Sequence, residues 1–177
     1  MTRAQIILAR FDMAEYRLCR ELNRGAGQRW VRALFQAASR LGDGIVWYLL
    51  IGALPLIYGR MAIRTSLVMA VTGLIGLLVY KFLKTRLLRE RPFIRHPGIT
   101  LAMPPLDRYS FPSGHTLHAV AFTCLAISRF PALAWVLLPL TGLIAASRMV
   151  LGLHYPSDVI AGGAIGATLA LLAQNFM

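Results

Sequence analysis

Three short polar runs interrupt an otherwise apolar chain: Lys84 with Arg91-Pro92, then Pro112-Ser113-Gly114-His115, then Ser147-Arg148 followed by His154 and Asp158. Lys84, Arg91 and Arg148 supply three fixed positive charges. Two of them are planar guanidinium forks that match the oxygens of a phosphoryl group. Gly114 lets a ligand approach the backbone closely. Ser113-Gly114-His115 opens a helix whose unpaired N–H groups and positive dipole end favour an anion. A lone cation at a helix end is an ordinary interfacial anchor, but three of them beside a glycine-opened helix point to a site for phosphate.

The histidines add reactivity to that site. His154 and Asp158 stand four residues apart across Pro156. That spacing lets the carboxylate accept from one imidazole nitrogen, fix the tautomer and make the other nitrogen a better nucleophile. His115, at the start of its helix, is suited to protonate a leaving alkoxide. The expected reaction is in-line attack of His154 on phosphorus, with Lys84, Arg91, Arg148 and the Ser113 and Gly114 amides neutralising the equatorial oxygens. His115 then activates the water that hydrolyses the phosphohistidine. Phosphoryl transfer demands mainly positioning and charge. The cations meet that demand, so no metal and no cofactor are expected. His96 and His118 fall outside the pattern and are assigned no role.

The elements that must hold these residues are membrane helices. The chain has 177 residues, 57% of them hydrophobic, and a mean hydropathy of +0.60, above the roughly 45–50% apolar content of soluble domains. Apolar blocks cover residues 44–59, 65–83, 115–130, 132–147 and 156–176. They are read as five spanning helices, the short ones extended by flanking residues to approach the roughly 20 residues a span needs. Trp47, Tyr48, Tyr58, Tyr80 and Trp135 lie near block ends, where aromatic rings favour the interface. A buried soluble bundle is disfavoured, because so many apolar blocks leave too little polar surface to cover one. Alternating crossings bring all three polar runs to one membrane face. The long connection over residues 84–113 carries five prolines and predicts a shaped, non-helical course.

Residues 1–42 are amphipathic. Ile7, Phe11, Ala14, Leu18 and Leu22 recur at helical steps, and after Gly25-Ala26-Gly27 the pattern resumes with Val31, Leu34, Phe35 and Ala38. Two helices lying in the membrane interface are expected, against the alternative of helices packed on the protein's own surface. The net charge of +12 and pI near 11.0 would suggest nucleic acid in a soluble protein. Here the basic residues alternate with apolar blocks, which fits anionic headgroups and a phosphate site instead. Arg10, Asp12, Glu15 and Arg17 interrupt any signal-peptide core, so insertion is expected to rest on the mature helices. Cys19 and Cys124 belong to no metal or disulfide pattern.

In residue type, internal spacing and order, the three runs resemble the tripartite signature of the type 2 phosphatidic acid phosphatase (PAP2) superfamily, with every signature position filled. The resemblance spans residues 84–158 by motif and the flanking helices by pattern. It implies an all-α, polytopic transmembrane bundle in one domain, 1–177, with amphipathic helices over 1–42 and a catalytic core over 43–177. It also implies a metal-independent histidine phosphatase. His154 is the implied nucleophile, with Asp158 as its partner and His115 as acid/base; Lys84, Arg91, Ser113, Gly114 and Arg148 are the implied phosphate ligands. Bacterial members often have six spans, whereas this chain begins with amphipathic helices in place of the first. Members acting on bacterial lipids usually face the periplasm, and that side of the inner membrane is the expectation, although the positive-inside rule favours the cytoplasm.

Undecaprenyl diphosphate, phosphatidylglycerophosphate, phosphatidic acid and lipid A phosphates all present a phosphate at the headgroup level. A broad lipid phosphate phosphatase is expected, with undecaprenyl diphosphate or phosphatidylglycerophosphate favoured by analogy with small bacterial relatives. Expected partners are that lipid phosphate and membrane lipids, with no nucleic acid. A lipid phosphotransferase would use the same residues, and a non-enzymatic headgroup binder would not need His154, His115 and Asp158 together. A vanadium haloperoxidase shares the anion cradle but is soluble and larger.

Overall fold

The structure, a computed structural model, describes residues 2–177, without the side chains of residues 3–9. Ile7, part of the apolar pattern above, therefore lies outside the described side chains. The described residues form helices α1 (Arg3–Arg24), α2 (Arg29–Leu41), α3 (Ile45–Tyr58), α4 (Met61–Leu87), α5 (Pro92–Arg95), α6 (Gly114–Arg129), α7 (Ala134–Val150) and α8 (Pro156–Ala173), with no strand among them. Among the described residues three segments are long and apolar enough to cross a membrane: Met61–Arg95, Pro131–Val150 and Pro156–Phe176. α2 and α3, bent by 52° where they meet, reach that length and apolarity only when taken together, as a broken span or a re-entrant loop. α3 and α6, at 14 and 16 residues, are about 21 and 24 Å long, short of the roughly 30 Å hydrocarbon core.

The bundle is built around α6. Gly162 and Gly166, one turn apart on α8, let that helix press against the α6 backbone. A Cβ at either position would run into the carbonyl of Ser113 or of Leu117. Such close approach is how membrane helices gain contact when lipid is as apolar as the core. Leu117, Ala121 and Leu125 of α6 are fully buried, and Trp47, Leu54, Met69, Leu137 and Ile144 close the core around the helix. Leu56, Ile57, Leu67, Leu74, Leu78, Trp135 and Ile160 face outward, an apolar surface suited to hydrocarbon.

Two sequence expectations change. Trp47 is not an interfacial anchor but a core residue, packed on Phe122 with ring centroids 5.6 Å apart. It lies on α3's inward face, where the neighbouring Tyr48 points out. The connection after the second apolar block is also less irregular than expected. No proline lies between Met61 and Arg91, so α4 continues through Lys84 to Leu87 and ends where Leu88 adopts a left-handed conformation (φ 42°). Pro92 then starts the single turn of α5 from its first position, where its missing N–H costs nothing.

α1 and α2 each turn a narrow polar stripe inward, while Asp12, Arg17, Arg20, Glu21, Arg29, Arg32 and Arg40 stay exposed. Glu15, Cys19 and Asn23 of α1 and Ser39 of α2 are buried, whereas Phe11, Leu18, Trp30 and Leu34 are exposed.

Candidate functional site

One end of the bundle opens into a cavity of about 470 Å³ lined by Lys84, Arg91, Gly114, His115, Arg148 and His154. Lys84 lies in the last turn of α4, Gly114 and His115 open α6, and Arg148 lies in the last turn of α7. His154 lies in the turn between α7 and α8. Gly152, at φ 75°, makes that turn possible. The N–H groups of Leu153 and His154 both donate to the Arg148 carbonyl at 3.0 Å. Away from the charges the wall turns apolar, with Trp47, Ile51, Leu74, Leu77 and Phe122.

His154 is only 2% exposed. Burial, then the charges of Arg148, Arg91 and Lys84, push its imidazole well below the ordinary value, so it is neutral. Its Nε2 lies 3.4 Å from Arg91 Nη1. Its Nδ1 lies 3.6 Å from Asp158 Oδ2, close enough for charge to act but too far for a hydrogen bond. Asp158 has other partners. Oδ2 accepts the Tyr155 N–H at 2.8 Å in a capping box at the start of α8, and Oδ1 accepts Arg89 Nη1 at 2.6 Å.

The phosphate-ligand candidates divide by access. Lys84 Nζ donates to Asp107 Oδ1 at 2.6 Å, and Arg91 Nη2 donates to the same oxygen at 2.9 Å. Burial pushes the Asp107 carboxyl up, but Lys84 and Arg91 outweigh it and hold the group below the ordinary value. Arg91 is fixed further by the Leu153 carbonyl at 2.7 Å. Arg148, almost fully buried, donates to the Ser39 hydroxyl, while its Nε has no partner among the described residues. Gly114 lines the cavity with the open first turn of α6 behind it. Ser113 does not line it: its N–H donates to the Asp158 carbonyl at 3.0 Å and its hydroxyl pairs with Thr116. Its place is behind the wall, joining α6 to α8.

Several residues at this site were not singled out in the sequence. Asp43, in the turn between α2 and α3, lies 2.5 Å from His115 Nε2. His118 lines the cavity and joins α6 to α4 through the Gly73 carbonyl at 3.1 Å. Arg89 and Glu15 stand behind Asp158. One signal was available: the chain has only seven acidic residues. Four of them, Glu15, Asp43, Asp107 and Asp158, gather here.

The PAP2 superfamily profile matches residues 62–177. The chain is 30% identical over 145 residues to the decaprenylphosphoryl-5-phosphoribose phosphatase of Mycobacterium tuberculosis, covering 81% of this chain and 78% of that one. It is 31% identical over 133 residues to the undecaprenyl-diphosphatase BcrC of Bacillus subtilis, covering 75% and 68%. Among solved structures, LpxE of Aquifex aeolicus superposes with a TM-score of 0.77 at 25% identity, over 90% of this chain and 94% of that one. Fold and relatives define an all-helical membrane enzyme of the phosphatase class. The chain belongs to the PAP2 superfamily.

Proposed function

We propose that this protein hydrolyses a phosphomonoester or diphosphate of a membrane lipid through a phosphohistidine on His154. The observation that carries the reading is a buried imidazole at a cavity wall shared with Lys84, Arg91 and Arg148. His154 Nε2 attacks phosphorus and forms the N–P bond as the lipid P–O bond breaks. Lys84, Arg91, Arg148 and the amides of the first α6 turn, from Gly114 on, hold the equatorial oxygens. Asp158, across from Nδ1, compensates the positive charge that develops on the ring. Ser113 serves the same cradle by joining Gly114 to the start of α8. His115, oriented by Asp43, protonates the departing lipid oxygen, then takes a proton from water as that water attacks phosphorus. Inorganic phosphate leaves and His154 is restored. No metal takes part.

The substrate class follows from the cavity and from what the relatives are named for. Charged groups sit beside an apolar wall, as a phosphorylated headgroup on a long chain requires. The named relatives act on decaprenyl and undecaprenyl lipids, which favours a polyprenyl phosphate or diphosphate over phosphatidic acid, phosphatidylglycerophosphate or lipid A. α3, α4, α6, α7 and α8 are the five crossings. α1 and α2 lie in the interface, with Phe11, Leu18, Trp30 and Leu34 towards lipid. The site faces the periplasm of a bacterial inner membrane.

The test is phosphate release by the purified protein in detergent with EDTA present, across those lipid phosphates, beside His154→Ala. Release that the substitution abolishes is expected. Undiminished turnover in His154→Ala removes the nucleophile, and inhibition by EDTA that added metal reverses removes the metal-free mechanism.

A further inference from the structure

One stripe of α1 is polar, buried and directed at the catalytic turn. Glu15, Cys19 and Asn23 recur at four-residue steps, one above the other on a single face. Asn23 Nδ2 donates to the carbonyls of Thr100 and Val150, both at 2.9 Å. Cys19 Sγ lies 3.7 Å from the His154 carbonyl. Glu15 makes two bonds behind Asp158. Its Oε2 accepts Arg89 Nη2 at 2.6 Å and its Oε1 accepts the Ser157 N–H at 2.9 Å. Arg89 in turn donates Nη1 to Asp158 Oδ1 at 2.6 Å and to the Ser157 hydroxyl at 2.7 Å, with its guanidinium 4.1 Å from the centre of the Tyr155 ring.

We infer that Glu15 is a positioning residue for the reaction proposed above, sharing the Arg89 guanidinium with Asp158 so that the aspartate keeps a net negative charge behind His154. The charge balance makes the case. Arg89 and Asp158 alone would form a neutral buried pair, leaving little charge to meet the positive imidazole that forms as Nε2 bonds to phosphorus. With Glu15 the three groups sum to one negative charge. Lys84, Arg91 and Arg148 surround the same ring with positive charge, so that compensation matters more here than in water. The guanidinium also has fixed geometry, its two forks turned to two carboxylates, which a lysine could not reproduce. α1, outside the three signature runs, thereby supplies a group that acts on the nucleophile through two others.

The experiment compares Glu15→Gln and Glu15→Asp with wild type, in one detergent, on whichever lipid phosphate the wild type hydrolyses. Glu15→Gln should lower kcat about tenfold, the lower end of the scale seen when an outer partner of a metal-bound histidine is removed. KM should stay within about twofold, as expected of an interaction made only in the transition state. Glu15→Asp, which keeps the charge on a shorter side chain, should recover most of kcat. In an Asp158→Asn background, Glu15→Gln should cost nothing more. Overturning results are an unchanged kcat in Glu15→Gln, an Asp variant no better than the Gln variant, or equal losses with and without Asp158. The last two would make Glu15 a strut for α1 alone. No phosphate release by wild type would bring down the proposed function and this inference with it; release that Glu15→Gln leaves intact would remove this inference only.

Discussion

α1 and α6 both border the catalytic turn, yet they bury opposite kinds of residue. α6 buries Leu117, Ala121 and Leu125, and α1 buries Glu15, Cys19 and Asn23 while exposing Phe11 and Leu18. The difference follows from where each helix lies. Inside a bilayer, lipid competes on equal terms for apolar side chains, so α6 and α8 are held by backbone proximity at Gly162 and Gly166. α1 leaves its outer face, with Phe11 and Leu18, exposed. Its attachment to the protein then falls to hydrogen bonds and ion pairs with the turn it covers. The first kind of contact joins α6 to α8, and the second ties α1 to the turn that carries His154.

The largest effect should come from breaking the α6–α8 seam. Gly166→Leu puts a side chain where the Leu117 carbonyl already stands. It should cost about 3 kcal/mol or more, read as lost folded protein or a lowered melting temperature in detergent. A wild-type melting curve would mean that the helices do not depend on this approach. Asn23→Ala tests the other kind of contact. It removes bonds to Thr100 and Val150 and should cost about 2 kcal/mol. Faster hydrogen exchange should appear around residues 148–158 while the α6–α8 seam stays protected. Equal loosening of both regions would erase the distinction drawn between them.

The smallest effect is one of pH. His154 is held neutral, its value well below the 6.5 of an ordinary imidazole. The acid limb of kcat/KM assigned to this ring should therefore fall below pH 6.5. Unfolding returns the ring to its ordinary value, so below pH 6.5 the unfolded chain takes up the extra proton. The stability linked to His154 is complete above that pH and is lost as pH drops towards the depressed value of the folded state. Melting temperature should decline on acidification, and less steeply in His154→Gln. An identical decline in both would assign the acid sensitivity to other groups.

The all-helical class was legible in the sequence because apolar blocks and helical periodicity are local properties. So was the face shared by the three polar runs, since Lys84, Arg91, Gly114, His115, Arg148 and His154 do line one cavity. Residue type at fixed spacing on successive antiparallel helices is enough to bring such groups together. What the chain alone could not decide was which buried polar groups pair. Glu15 meets Arg89 across 74 residues and Asp43 meets His115 across 72, separations that leave no periodic trace. The direction of an inward face was equally hidden. Trp47 and Tyr48 are neighbours of similar type, yet one is in the core and the other outside. The tertiary structure alone decided that Glu15, Cys19 and Asn23 of α1 turn inward and that Asp158 bonds to Arg89, with His154 just beyond reach. Those choices depend on desolvating distant charges together, an energy no single segment contains.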